Sequence, residues 1–148
     1  MAEGEDDQES FLKKAEVYNL ITEQRFEEIA LMGDEAVPAL VSILKNGEGW
    51  KKAVAVGVLA NIDGISSVRA LKLAAQDPES GIRRLAANAL ANKEGKTAEK
   101  IIEKMKEDPS RHVVMEAERI LLRRSSAPPP PANGNSGRVK RRSALVRS

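Results

Sequence analysis

Residues 64–94 read GISSVRALKLAAQDPESGIRRLAANALANKE, and the same frame begins 31 residues earlier at Gly33 and 31 later at Gly95. Stacked on those glycines, the chain aligns column by column. Six places on stand Ala39, Ala70 and Ile101, followed by Leu40, Leu71 and Ile102. Twenty-two places on stand Ala55, Ala86 and Ala117, and twenty-six on Leu59, Leu90 and Leu121. A fixed period of this length marks a repeat architecture, in which each unit must bury its apolar face against its neighbours.

Each unit reads as two helices. Ala36, Val37, Leu40, Ile43 and Leu44 form one apolar stripe at helical spacing, and Val54, Ala55, Val58, Leu59 and Ile62 form a second. Between them Asn46-Gly47 breaks the pattern, and the other two units break at Asp77-Pro78 and Asp108-Pro109. An aspartate there is expected to accept backbone N–H groups at the helix start, with proline in the first helical position. Each boundary glycine suits a left-handed residue ending a helix. Pro38 falls near the first turn of its helix, where a missing donor is tolerated.

These segments resemble a known family. Gly33-Asp-Glu-Ala-Val-Pro-Ala-Leu-Val-Ser-Ile-Leu-Lys45 looks like the opening helix of a HEAT-like repeat, of the short class also seen in bilin-lyase-type proteins. Asp77-Pro78-Glu-Ser-Gly-Ile-Arg83-Arg84-Leu-Ala-Ala-Asn-Ala-Leu90 resembles its turn and second helix. The resemblance covers residues 33–124 and implies an all-α fold, a right-handed α-solenoid of HEAT-like helical hairpins. It says little about function, because one fold hosts many.

The ends depart from the pattern. In the third unit Glu99, Lys106, Glu116 and Glu118 replace mostly apolar residues, as expected of a terminal unit with no successor to cover it. Phe11, Leu12, Ala15 and Tyr18, then Phe26, Ile29 and Ala30, suggest capping helices that cover the first unit. The expected organisation is a disordered acidic N-terminus at 1–8 and a solenoid at 9–124. The solenoid divides into caps 9–32 and repeats 33–63, 64–94 and 95–124, and is followed by a disordered tail at 125–148. With both ends covered, a monomer is expected.

Charge is distributed unevenly. The net charge is +2, yet residues 1–9 hold five acids and no base, and residues 125–148 hold five bases and no acid. Pro128 to Pro131 and the Gly/Asn/Ser run after them favour an extended, uncollapsed arm. Its bases, Arg138, Lys140, Arg141, Arg142 and Arg147, read as a nuclear-localisation or phosphate-binding cluster, or as solubilising filler. Ser143 follows Arg141-Arg142 in the manner of a basophilic kinase site. The absence of cysteine excludes disulfides and thiolate metal sites, and no apolar run approaches membrane-spanning length. The expected location is cytoplasmic, with nuclear as the alternative in a eukaryote.

Stacked two-helix repeats present one helical row as a ridge, and the second helices place Trp50, Lys51, Lys52, Arg83, Arg84, Arg111, His112 and Arg119 on or near it. One reading makes these a basic surface for an acidic peptide, a phosphorylated segment or nucleic acid. The other has Lys52 and Arg83, which share a column, pairing with turn carboxylates such as Asp77 and Asp108. Trp50 shares its column with Gly81 and His112, so it is either an exposed contact residue or packed on the N-terminal helices. The lone His112 has no ligand-spaced partner, and the chain lacks the His-Glu pairs that HEAT-like hydroxylases use for iron. No phosphate loop or dinucleotide fingerprint is present, so no catalytic residue, metal or cofactor is expected. The leading expectation is a non-catalytic protein-binding scaffold with a flexible basic arm. The alternatives are a nucleic-acid-associated protein using tail and ridge, and a lyase-like accessory factor for a cofactor-bearing protein.

Overall fold

The computed structural model describes residues 2–126, with side chains from 8 to 125, and every regular element among them is helical. In chain order these are α1 (Ala2–Thr22), α2 (Phe26–Met32), α3 (Val37–Asn46), α4 (Gly49–Leu59), α5 (Ile65–Ala74), α6 (Ser80–Ala91), α7 (Lys96–Lys104) and α8 (Arg111–Ser126). Short 3₁₀ turns, Gly33–Ala36 and Met105–Glu107, precede α3 and follow α7. α3 packs on α5 and α5 on α7, while α4 packs on α6 and α6 on α8. Each helix also packs on its partner in the same 31-residue unit, so the sequence period appears as two rows of helices in contact.

The shared columns are the core of this packing. Leu40, Leu71 and Ile102 are fully buried in the first row, and Ala55, Ala86 and Ala117 in the second. Three alanines at one register let helix axes approach closely, because a methyl group is all that separates the backbones. Each fully buried Leu or Ile contributes about 1.5–3 kcal/mol of transfer free energy. No helix among the described residues is long and apolar enough to cross a membrane.

The turns correct the expected helix starts. Asp77 and Asp108 do accept backbone N–H groups, from Glu79 at 2.9 Å and Ser110 at 2.8 Å. These are turns ahead of the helices, however; α6 and α8 begin two residues after Pro78 and Pro109. The aspartate bonds its own backbone two residues on, as Asx turns do, which delays the helix. Of the three boundary glycines only Gly33 ends a helix; Gly64 and Gly95 stand immediately ahead of α5 and α7. Their dihedrals, φ 110°, ψ 167° and φ 99°, ψ 165°, lie in a region open essentially to glycine alone.

The N-terminal cap also differs from expectation. The first unit is covered by Val17, Leu20 and Ile21 of α1 and Ile29 of α2, all buried. Phe11 and Leu12, expected to join them, are 69 % and 59 % exposed. The helix begins at Ala2, within the stretch expected to be disordered. In the last unit Glu99 and Glu118 are exposed, but Glu116 is buried. The tail expected to be disordered lies, from residue 127 on, outside the described residues.

Candidate functional site

The second row is held in register by charged contacts at both ends. At the leading end, the Lys52 ammonium lies 3.1 and 3.2 Å from the two Asp77 carboxylate oxygens and 3.5 Å from Glu79. One unit later Arg83 donates to Asp108 from Nε at 2.8 Å and from Nη2 at 3.0 Å. Its Nη1 also donates to the carbonyls of Asp77 and Pro78, at 2.8 and 3.0 Å. At the trailing end Lys93 donates to the Ile62 carbonyl, and Arg124 donates to the carbonyls of Lys93 and Ala91 at 3.1 and 3.3 Å. Start meets start and end meets end, so α4, α6 and α8 run parallel, one unit apart.

The electrostatics follow from these contacts. The hydrogen bond to Asp77 raises the Lys52 ammonium above its ordinary value, and the bond to Asp108 raises the Arg83 guanidinium. Burial alone would push the Asp108 carboxyl up. The Arg83 and Ser110 hydrogen bonds and the Arg83 charge outweigh that effect and hold it below its ordinary value. Lys93 is depressed because burial disfavours its charged form.

Lys52 and Arg83, only 13 % and 14 % exposed at the side chain, are therefore bonded within the fold. The other candidates remain at the surface. Trp50 is 53 % exposed; its indole N–H donates to Glu48 at 3.1 Å, and the Lys51 ammonium lies 5.5 Å from its ring centre and 5.7 Å from that of Tyr18. Arg111 and His112 open α8 and are exposed. Arg84 and Arg119 converge on one carboxylate, Glu116, with Arg84 at 3.5 Å and Arg119 hydrogen-bonded. This explains the burial of Glu116: two guanidinium groups stabilise a carboxylate in a column that is apolar in the other units. The five tail bases, Arg138, Lys140, Arg141, Arg142 and Arg147, lie outside the described residues.

The exposed face of the second row carries apolar residues that the sequence reading passed over. Leu85 and Met115 are exposed beside Arg84 and Glu116. Between α2 and α4 a mostly apolar groove of about 590 Å³ is lined by Phe26, Glu27, Ala30, Leu31, Val54, Gly57, Val58 and Asn61. Its signal in the sequence was at the edge of the second stripe: Trp50, Val54 and Gly57 follow one another at four- and three-residue intervals, so Val54 of that stripe shares a helix side with Trp50. Among the described residues no three His, Asp or Glu side chains gather as a metal-holding group. Compared with family models, curated proteins and solved structures, the chain matches none.

Proposed function

We propose that the chain is a small HEAT-like α-solenoid, capped by its N-terminal helices, that acts as a non-catalytic binding module for a protein partner. The contact face is the exposed side of the second-helix row. One observation carries the reading: apolar side chains, Trp50, Leu85 and Met115, stay exposed along a row whose interior is otherwise well packed, with exposed Leu31 of α2 in the groove beside α4. Exposed apolar groups rimmed by arginine are the composition of interaction surfaces, where aromatic residues and arginine supply most of the binding energy.

The nucleic-acid alternative loses two of its ridge cations, since Lys52 and Arg83 are already neutralised by Asp77 and Asp108. It would rest on the tail bases and on Arg84, Arg111 and Arg119.

Photocrosslinking tests the proposal. A photoreactive residue at Met115, on the second-row face, is expected to capture a saturable protein partner. The same residue at Ile65, exposed at the start of α5, is the control. Equal capture from both sites, or none from Met115, would count against a ridge-binding module.

A further inference from the structure

We infer that the groove between α5 and α7 binds a small organic phosphate monoester, with its apolar body on the groove floor and its phosphate among three lysines. The groove lies on the first row of helices, so the inference goes beyond the second-row contact face and does not depend on it.

Two successive junctions of the first row carry the same columns with different residues. Between α3 and α5 these are Val41, Leu44 and Leu73; one unit later, between α5 and α7, they are Lys72, Ala75 and Lys104. Leu44 is buried, and Val41 and Leu73 pack against the same core, so apolar side chains fill the first junction. At the second junction the smaller Ala75 lines a groove of about 370 Å³. Its floor is Ala75, Ile101 and buried Met105. Its rim is Lys72 and Gln76 of α5 with Thr97, Lys100 and Lys104 of α7, all exposed.

No carboxylate answers the three ammonium groups. Asp108 also lines the groove, but it is held by the Arg83 guanidinium and the Ser110 N–H. The acids of α7 are engaged on another surface, where Glu103 lies 3.5 Å from Lys106 and Glu99 lies 3.8 Å from Arg124. Among the described residues, the side chains of Lys72, Gln76, Thr97, Lys100 and Lys104 make no hydrogen bond or ion pair. Lys72 and Lys104 do stand in the last turns of their helices, where a cation suits the helix dipole. The dipole does not demand this column, however: α3 carries Lys45 in its last turn and keeps Val41 apolar.

This composition selects the ligand. A pocket of this size, apolar at its floor and polar at its rim, suits a small molecule. A carboxylate would offer three cations a single charge, whereas a phosphate monoester offers about −1.5 to −2 and three acceptor oxygens. A nucleic-acid backbone carries single charges in a row and calls for a strip of cations, while these three rim one space. The Thr97 hydroxyl and the Gln76 amide supply further donors.

The probe is naphthyl phosphate, titrated into the full chain in about 50 mM NaCl and followed through the methyl resonances of Ile101 and Met105. Saturable shifts are expected. Naphthol and inorganic phosphate, each lacking one half of the probe, should bind about tenfold more weakly. Lys72→Gln combined with Lys104→Gln should weaken binding about tenfold by removing charge from exposed positions. Ala75→Leu, which installs the residue the first junction already packs, should weaken it by a similar factor with every lysine retained. Helical circular dichroism should be unchanged in both variants. The proposal is overturned if no saturable shift is seen, if both variants bind as wild type does, or if naphthol or inorganic phosphate binds as tightly as the probe. Binding that only neutralisation of Arg138, Lys140, Arg141 and Arg142 abolishes also overturns it. Displacement of the probe by an oligonucleotide without terminal phosphates would overturn the monoester assignment in favour of a nucleic-acid backbone.

Discussion

Lys93 donates its ammonium to the backbone carbonyl of Ile62, which stands 31 residues earlier at the same place in the preceding unit. Arg124 repeats the contact on the carbonyl of Lys93 itself. Each unit thus ends by bonding the end of the unit before it. The arrangement carries a cost in the middle unit: Lys93 is buried, and burial lowers its affinity for a proton. The carbonyl it serves already accepts the Ser67 hydroxyl at 2.6 Å.

Lys93→Met is therefore expected to leave the fold intact and to raise stability by about 1 kcal/mol, since an apolar chain of similar length avoids the desolvation and Ser67 still satisfies Ile62. Between the lowered folded value and the ordinary lysine value, the unfolded chain binds more protons than the folded one. Wild-type stability accordingly rises with pH across that window. Urea midpoints of the two proteins should differ at about pH 7 and converge only as the pH rises past the ordinary lysine value, about 10.5. A large loss in the variant at neutral pH would show that the ammonium is a net contributor.

The Arg83–Asp108 bond leads to the opposite expectation. Asp108→Ala removes two guanidinium bonds and the Ser110 turn bond and leaves Arg83 without its carboxylate, a loss of about 2–3 kcal/mol. The folded carboxyl titrates below its unfolded counterpart, so its contribution is fully present above the ordinary value, about 4, and is lost as pH falls through the folded value. Wild type should lose this increment below about pH 4, whereas the gap to Asp108→Ala closes there. An unchanged gap at low pH would place the stabilisation elsewhere.

This bond also shows what the sequence makes legible. Lys52 and Arg83 share a column, and each precedes by 25 residues an aspartate in a turn, so both pairs could be read from spacing alone. The column of Ile62, Lys93 and Arg124 could not be read this way, because an apolar residue followed by two bases looks like drift toward a polar surface. Only the folded chain shows that they form two successive contacts, Lys93 on the Ile62 carbonyl and Arg124 on the Lys93 carbonyl. Phe11 and Leu12 were misplaced for a related reason. Hydrophobic periodicity identifies Phe11 and Leu12 as one side of a helix, but not where the next element ends. α1 packs on α3 and buries Val17, Leu20 and Ile21, while Phe11 and Leu12 stay exposed, Leu12 beside the start of α3. The groove at Leu31 required α2 and α4 to be placed together, which no column records.

Trp50 offers a separate check. As the sole tryptophan and half exposed, it should be quenched by acrylamide almost as freely as a short peptide, with little red shift on unfolding. Trp50→Ala is expected to change stability by less than about 1 kcal/mol, against about 2–5 kcal/mol for Leu71→Ala in the core. A strongly quencher-protected tryptophan would mean that it packs on the N-terminal helices after all.

The last expectation contrasts two glycines. Gly57 lies inside α4 with open space where a side chain would project, so Gly57→Ala should stabilise by about 0.5–1 kcal/mol through helix propensity. Gly95 also has open space at that position, yet its φ of 99° suits no L side chain. Gly95→Ala should therefore destabilise by about 1–3 kcal/mol through backbone strain alone. Thermal melts of both variants beside wild type measure the two effects with sterics removed from the comparison. A destabilising Gly57→Ala would indicate that a neighbour occupies the groove beside Leu31 in solution. A neutral Gly95→Ala would show that the turn ahead of α7 can adopt an ordinary backbone and that the boundary glycine is dispensable there.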